Sequence, residues 1–143
     1  MRVVLDPNVL ISARLSPNGA PGLLVRQWLA GRFELLVSSA LLAELGDVLQ
    51  RNKFRGYLSV EEAREFVDSL RVGATLVDDP PASPQGSPDP DDDYLLALAR
   101  AHGVDRLVSG DPHLTSMDSA EPRIQRPRDF LNDLMTGGHD AGS

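Results

Sequence analysis

Acidic residues follow apolar, strand-like segments at two distant points of the chain. Asp6 ends the segment "VVLD", and Asp111 ends the segment "LVSGD". In an open parallel sheet, ligand sites form outside the carboxyl ends of the strands, so two such acids would meet at one edge. A third segment ends in "LVDD", and polar residues commonly begin where strands end. The positions of Asp6 and Asp111 therefore indicate a ligand site only if other acids lie near them.

Two helical segments supply further acids. In "SALLAELGDVLQ", Glu44 lies on the flank of an apolar stripe with helical spacing, whereas Asp47 lies nearly opposite that stripe. In "DPDDDYLLALA", Asp92 shares the face of the apolar positions, and Asp93 leads to the outer side of the helix. The two expected stripes are Leu41, Leu42, Leu45, Val48 and Leu49, and then Leu95, Leu96 and Ala99 with Leu98 at the margin.

Several carboxylates in one pocket repel one another, and a bound hard cation removes that repulsion. Oxygen ligands without cysteine favour Mg²⁺ or Mn²⁺ over Zn²⁺. Two such ions about 4 Å apart could activate a water and stabilise the leaving oxygen of a phosphodiester. Asn8 and Ser109 could add neutral hydrogen bonds to a carboxylate, a water or a phosphate. The metal site predicted from these residues comprises Asp6, Glu44, Asp92 and Asp111.

The elements that must position these acids alternate between strand and helix. Strands are expected at "RVVLD", "FELLVS", "ATLVD" and "DRLVSGD", and the helical segments lie between and after them. This order predicts an α/β fold with three α/β/α layers and a central parallel sheet of four to five strands. We expect a single domain over residues 1–135, an irregular loop over residues 80–90 and a disordered tail over residues 136–143.

Composition limits the possible environments and partners. The chain has 143 residues, a net charge of −7 and no cysteine. Its apolar runs are too short to span a bilayer, and no signal peptide is evident, so a cytoplasmic location is expected. The negative charge argues against broad electrostatic binding of nucleic acid. A local basic group of Arg51, Lys53 and Arg55 could still bind phosphate, although a solvated helix end followed by a loop is the simpler explanation.

These motifs, in this order, resemble the PIN domain family, and most closely its toxins of VapC type. The resemblance rests on "VLDPN" with Asp6 and Asn8, on "LLAEL" with Glu44, on "DPDDD" with Asp92, and on "SGD" with Ser109 and Asp111. It implies a Mg²⁺- or Mn²⁺-dependent ribonuclease acting on RNA. It also implies the toxin role in a toxin–antitoxin pair, a cognate antitoxin partner and a homodimer.

Two positions depart from the family pattern. Pro7 and Ser109 both stand where the family commonly has threonine. The proline removes a hydroxyl and a backbone N–H beside the expected metal site, whereas the serine keeps its hydroxyl.

Two other functions compete with the nuclease. A receiver-like phosphoacceptor domain also gathers acids at a sheet edge, but it normally uses a lysine late in the chain, and Lys53 is the only lysine here. A catalytically weak or inactive domain that binds a partner protein is the other alternative, and the negative charge favours it.

The helix phase makes a prediction that separates two adjacent acids. Asp92→Asn should lower metal-dependent RNA cleavage far more than Asp93→Asn, because only Asp92 shares the face of the apolar stripe. Cleavage rates of the two purified variants under identical metal concentrations measure the difference. The opposite ranking would refute the phase argument.

Overall fold

Five short parallel strands form the centre of the protein. The computed structural model describes residues 1–81, 90–119 and 121–137, without the side chains of residues 90–93. The strands are β1 (Arg2–Leu5), β2 (Glu34–Val37), β3 (Thr75–Leu76), β4 (Arg106–Val108) and β5 (Arg123–Gln125). Their order in the sheet is β3-β2-β1-β4-β5, and every neighbouring pair is parallel.

Helices connect the strands. They are α1 (Pro7–Leu15), α2 (Ala20–Leu29), α3 (Ser39–Leu49), α4 (Val60–Gly73), α5 (Pro90–Ala101), α6 (Pro112–Thr115) and α7 (Pro127–Gly137), with a 3-10 turn at Asn52–Phe54. Helix α1 packs against α2 and α3, α3 against α4, and α2 against α7, whereas α5 packs against β1 and β4. The predicted three-layer α/β/α fold with a parallel sheet is confirmed.

Consecutive strand residues are buried, which explains why the sheet needs helices on both faces. Val3, Val4 and Leu5 are all buried, as are Leu107 and Val108. Because neighbouring side chains of a strand point to opposite faces, a fully buried run requires cover on each face. The continuous apolar runs in the sequence therefore indicate a sheet covered by helices on both faces.

Several helix boundaries follow the expected signals. Ser38 is the N-cap of α3 and accepts a hydrogen bond from the Leu41 N–H at 3.1 Å. Ser59 and Glu62 form a capping box at the start of α4. Gly31 and Gly103 adopt φ values of 81° and 60° just after α2 and α5, a backbone conformation that glycine adopts without strain.

The structure adds two elements to those assigned from the sequence and reverses the burial of two leucines. Helix α1 occupies residues 7–15, and β5 at "RIQ" is the fifth strand of the four to five expected. In α5, Leu98 is fully buried and Leu96 only half-buried, the reverse of their expected places.

The remaining expectations concern regions that are only partly described. Of the expected tail over residues 136–143, positions 136 and 137 continue α7, and the rest lies outside the described residues. Most of the expected loop over residues 80–90 also lies outside them. Among the described residues, no helix combines the length and apolarity needed to cross a bilayer.

Candidate functional site

The sheet order creates a crevice where β1 lies between β2 and β4. From β1 the chain continues to β2 on one side, and it later returns to place β4 on the other side. Such a reversal of strand order opens a gap at the carboxyl ends of the two central strands. Asp6 directly follows β1, and the segment Ser109–Asp111 directly follows β4. The structure thus brings these predicted residues to one place.

Asp6 is a buried carboxylate held by neutral donors. Its side chain is 6% exposed. Oδ1 accepts a hydrogen bond from the Asn8 backbone N–H at 2.9 Å, and Oδ2 accepts one from the Ser109 hydroxyl at 2.7 Å. The Asp6 side chain thereby caps α1, and the Asp6 backbone N–H donates to the Val108 carbonyl at 2.9 Å. Asn8 contributes to this arrangement through its backbone N–H, and its side chain is exposed.

Ser109 connects the two acids of the crevice. Its side chain is fully buried, and its hydroxyl donates to Asp6 while accepting the Asp111 backbone N–H at 3.0 Å. Asp111 is half-buried and caps α6, since its Oδ1 accepts the His113 N–H at 2.9 Å. One serine hydroxyl therefore fixes both the Asp6 carboxylate and the backbone that carries Asp111.

Pro7 occupies a favourable position beside the site. It is the first residue of α1, where a backbone N–H has no acceptor within the helix. A threonine at this position would have a backbone N–H that proline lacks, but α1 makes no use of an N–H at its first residue. Because proline fixes φ near the helical value, Pro7 pre-organises the turn that presents Asp6.

A second polar network, which the sequence reasoning missed, lies beside the crevice at the ends of β2 and β3. The Tyr94 hydroxyl donates to Asp79 Oδ1 at 2.6 Å and shares a short hydrogen bond with the buried Ser38 hydroxyl. Asp79 Oδ2 also accepts the Ala40 N–H at 3.0 Å. The signal available in the sequence was a serine and an aspartate after two strands, near a tyrosine that needs a partner.

This network perturbs the protonation of its members. Burial raises the pKa of Tyr94 well above its usual value, and the hydrogen bond to Asp79 and the charges of Asp79 and Glu44 act in the same direction. Burial tends to raise the pKa of Asp79, but hydrogen bonds from Ser38, Tyr94 and the Ala40 N–H outweigh it and lower that pKa. Glu44 is exposed on α3, and its charge reaches Tyr94, which directly follows Asp93 in α5.

Asp92 and Asp93 lie in the first turn of α5, but their side chains are outside the described residues. The choice between them stays a prediction. The three basic residues of the expected local group have different environments. Arg51 and Lys53 are exposed, whereas the Arg55 guanidinium donates to the Leu49 carbonyl near the end of α3. A nucleic-acid-binding role for these three also stays a prediction.

Comparison with known proteins now decides the family. A family model described as "PIN domain" matches residues 2–113. The chain belongs to the PIN domain family. PIN domains are in general nucleases, and PIN nucleases typically use divalent metals. The matched range contains Asp6, Glu44, Asp92 and Asp111.

Individual relatives of this PIN domain are distant. An uncharacterized protein of Methanocaldococcus jannaschii, MJ1680, is 23% identical over 143 aligned positions that cover 94% of this chain and 92% of the relative. The crystal structure of PAE2754 from Pyrobaculum aerophilum has a TM-score of 0.65 at 16% identity, covering 95% of this chain and 90% of that one. VapBC2 from Rickettsia felis, bound to a DNA fragment from their promoter, has a TM-score of 0.58 at 16% identity, covering 88% and 97%.

The donor set of the PIN domain crevice fits a hard cation. In the part of the chain that the structure describes, no Arg, Lys or His forms an ion pair with the Asp6 carboxylate. Each Asp6 carboxylate oxygen accepts one hydrogen bond from a neutral donor and has lone pairs left for a ligand. Among side chains outside residues 82–93, 120 and 137–143, no three acids or histidines are grouped to hold a metal by themselves. The structure therefore does not bring Asp6, Glu44 and Asp111 together as a metal site complete in itself.

The Ser38–Tyr94–Asp79 network predicts a pH-dependent loss of stability. Tyr94→Phe removes the hydroxyl that joins Ser38 to Asp79 and should lower the free energy of unfolding by about 1–3 kcal/mol at neutral pH. Because the Asp79 pKa is lowered on folding, its contribution is present above the unfolded pKa of about 3.9 and lost as pH falls through the folded pKa. The difference between wild type and variant should therefore shrink at acidic pH.

Denaturant unfolding between about pH 6 and about pH 3 measures this difference. Tyr57→Phe is the matched control, since Tyr57 is exposed and its loss of a hydroxyl should change stability little. Equal destabilisation by both variants, or a difference that grows on acidification, would contradict the assignment.

Proposed function

We propose that this PIN domain is a Mg²⁺- or Mn²⁺-dependent endoribonuclease that hydrolyses RNA phosphodiester bonds. The observation that carries the proposal is the buried Asp6 carboxylate at the end of β1, tied through Ser109 to Asp111 after β4. Membership of a family of nucleases supports the reaction type. The same membership argues against the receiver-like alternative, which belongs to a different class of protein.

In the proposed site, Asp6, Asp111, Glu44 and Asp92 would hold the metal, with Asp93 as the less certain ligand. A bound divalent cation would supply Lewis-acid chemistry, lowering the pKa of a water and stabilising negative charge on the phosphate. Ser109 keeps the Asp6 carboxylate in one orientation. Asn8, through its N–H, holds the other oxygen of that carboxylate. These two donors are neutral, so they leave the charge of Asp6 for the cation.

We further propose that the chain is the toxin of a toxin–antitoxin pair, with a cognate antitoxin protein as partner and a homodimer as its assembly. The support is the similarity in fold to VapBC2 of Rickettsia felis, a structure bound to a DNA fragment from their promoter. A catalytically inactive, protein-binding PIN domain is the competing function, and the assay below separates the two.

RNA cleavage tests the nuclease directly. The wild-type protein should cut a mixed single-stranded RNA pool when Mn²⁺ or Mg²⁺ is present and lose this activity in EDTA. Asp6→Asn should reduce the rate by at least about 100-fold, because it removes the charge that holds the cation while preserving the shape of the side chain.

Helix α3 provides a test variant and its matched control. Glu44 and Asp47 are both exposed on α3, but only the charge of Glu44 reaches Tyr94 of α5. Glu44→Gln should therefore lower the rate, whereas Asp47→Asn should leave it unchanged. A wild-type protein that cuts with neither metal would refute the nuclease and favour the protein-binding function. Equal cutting by wild type and Asp6→Asn would show that the active site lies elsewhere.

A further inference from the structure

A polar cavity lies along β5, the edge strand next to β4 and the candidate active site. Its volume is about 540 Å³, within the usual size range of small-ligand sites, and polar side chains of β5, α6 and α7 line it. Every lining residue lies between residues 115 and 133, beyond the range that the family model matches. The cavity therefore contains none of the residues predicted for the metal site.

Gln125 points to a ligand in this cavity. The side chain is only 7% exposed, and its Nε2 donates to Asp133 Oδ2 at 2.8 Å. Because an ionised carboxylate accepts hydrogen bonds only, Asp133 fixes which end of the amide faces it. The other end, Oε1, is buried among the cavity walls with no hydrogen-bond partner in the described part of the chain. A buried unpaired carbonyl oxygen is costly, so a donor from outside the chain is expected there.

The cavity walls combine acceptors with positive charge. Asp129 and Asp133 supply carboxylates beside Gln125, and Arg123 and Arg126 supply guanidinium groups. A ligand that fits must present N–H donors to the first group and acceptors or a phosphate to the second. Guanine fits best, since its N1 and N2 carry three N–H hydrogens, more than any other base of RNA, and its O6 and N7 are acceptors that suit an arginine fork.

Backbone contacts link the cavity to the crevice. The Ser109 N–H donates to the Gln125 carbonyl at 3.0 Å, and the Thr115 hydroxyl, in the cavity wall, donates to the Asp111 carbonyl at 3.2 Å. Strand β5 is two strands from β1, a separation of roughly 10 Å at the usual strand spacing. A nucleotide in the cavity would therefore be near enough for the same RNA strand to place a phosphate in the crevice.

We infer that this cavity is a base-binding subsite that takes a guanine of single-stranded RNA, adjacent to the phosphate that is cut. The inference rests on the proposed ribonuclease function for its biological meaning. Gln125 accepts an N–H of the base, Asp129 and Asp133 accept further base donors, and Arg126 binds the attached phosphate. Arg123 completes the positive side of the cavity.

Binding of the four nucleoside 5′-monophosphates to the full chain in EDTA tests the subsite without requiring catalysis. Heteronuclear NMR titration should show saturable binding of GMP, with shifts at the Gln125 side-chain amide, and weaker binding of AMP, CMP and UMP. Gln125→Met should weaken GMP binding by about fivefold or more, because it removes the acceptor at similar side-chain volume. Equal binding of all four nucleotides, or no saturable binding, would overturn the inference.

Variants of exposed residues test GMP binding even if the buried substitution Gln125→Met disturbs folding. Asp129→Asn and Arg126→Gln should each weaken GMP binding, whereas Arg128→Gln, an exposed change of the same kind outside the cavity, should not. Arg126→Gln should affect GMP more than guanosine, since it removes the phosphate contact. Identical behaviour of the Arg126 and Arg128 variants would contradict the subsite. A protein that binds GMP but cuts no RNA would refute the nuclease alone.

Discussion

The burial of the Asp6 carboxylate is the constraint on which the candidate site depends. A charged group at 6% exposure is unfavourable unless hydrogen bonds replace its lost water. Two neutral donors do so: the Asn8 N–H, which requires α1 to begin immediately after β1, and the Ser109 hydroxyl. The second requires β4 to pair in parallel beside β1 with Leu5 opposite Val108. The register of the two central strands and the start of α1 are thus both needed to hold one side chain.

Polar side chains follow the strands along the whole carboxyl edge of the sheet. In spatial order they are Asp79 near β3, Ser38 after β2, Asp6 after β1, Ser109 after β4, and Gln125 at the end of β5. Hydrogen bonds join them into a network at β3 and β2 and another at β1 and β4, and the backbone of Gln125 contacts the latter. In a chain of net charge −7, the proposed cation at this edge would offset the repulsion of the proposed RNA substrate.

The sequence predicts the parts of this arrangement that depend on local patterns. Continuous apolar runs identify β1, β2 and β4, and the acids that follow β1 and β4 are brought to one crevice as expected. Helix α1 escaped prediction because Pro7 follows the strand and suggests a turn, although proline is favourable at the first helical position. Strand β5 escaped because "RIQ" has one apolar residue, and its pairing with β4 determines its structure.

Interactions between distant elements could not be predicted in the same way. Tyr94, Ser38 and Asp79 come from three segments, and only the sheet order brings them together. Leu98 is buried and Leu96 is half-buried, the reverse of the expectation. The apolar pattern alone does not determine which side of α5 faces the sheet, because that depends on its contact with β1 and β4. Gln125 gave no signal either, since its unpaired oxygen is apparent only once Asp133 of α7 is placed beside it.

The central claim is that Asp6, oriented by Ser109, holds a divalent cation in the crevice between β1 and β4. Titration of the full protein with Mn²⁺, followed by paramagnetic broadening of backbone amide resonances, measures this directly. The account predicts that Asn8, Ser109 and Asp111 broaden first and that Asp6→Asn abolishes this selectivity. Broadening centred on other acids, or unchanged by Asp6→Asn, would contradict it.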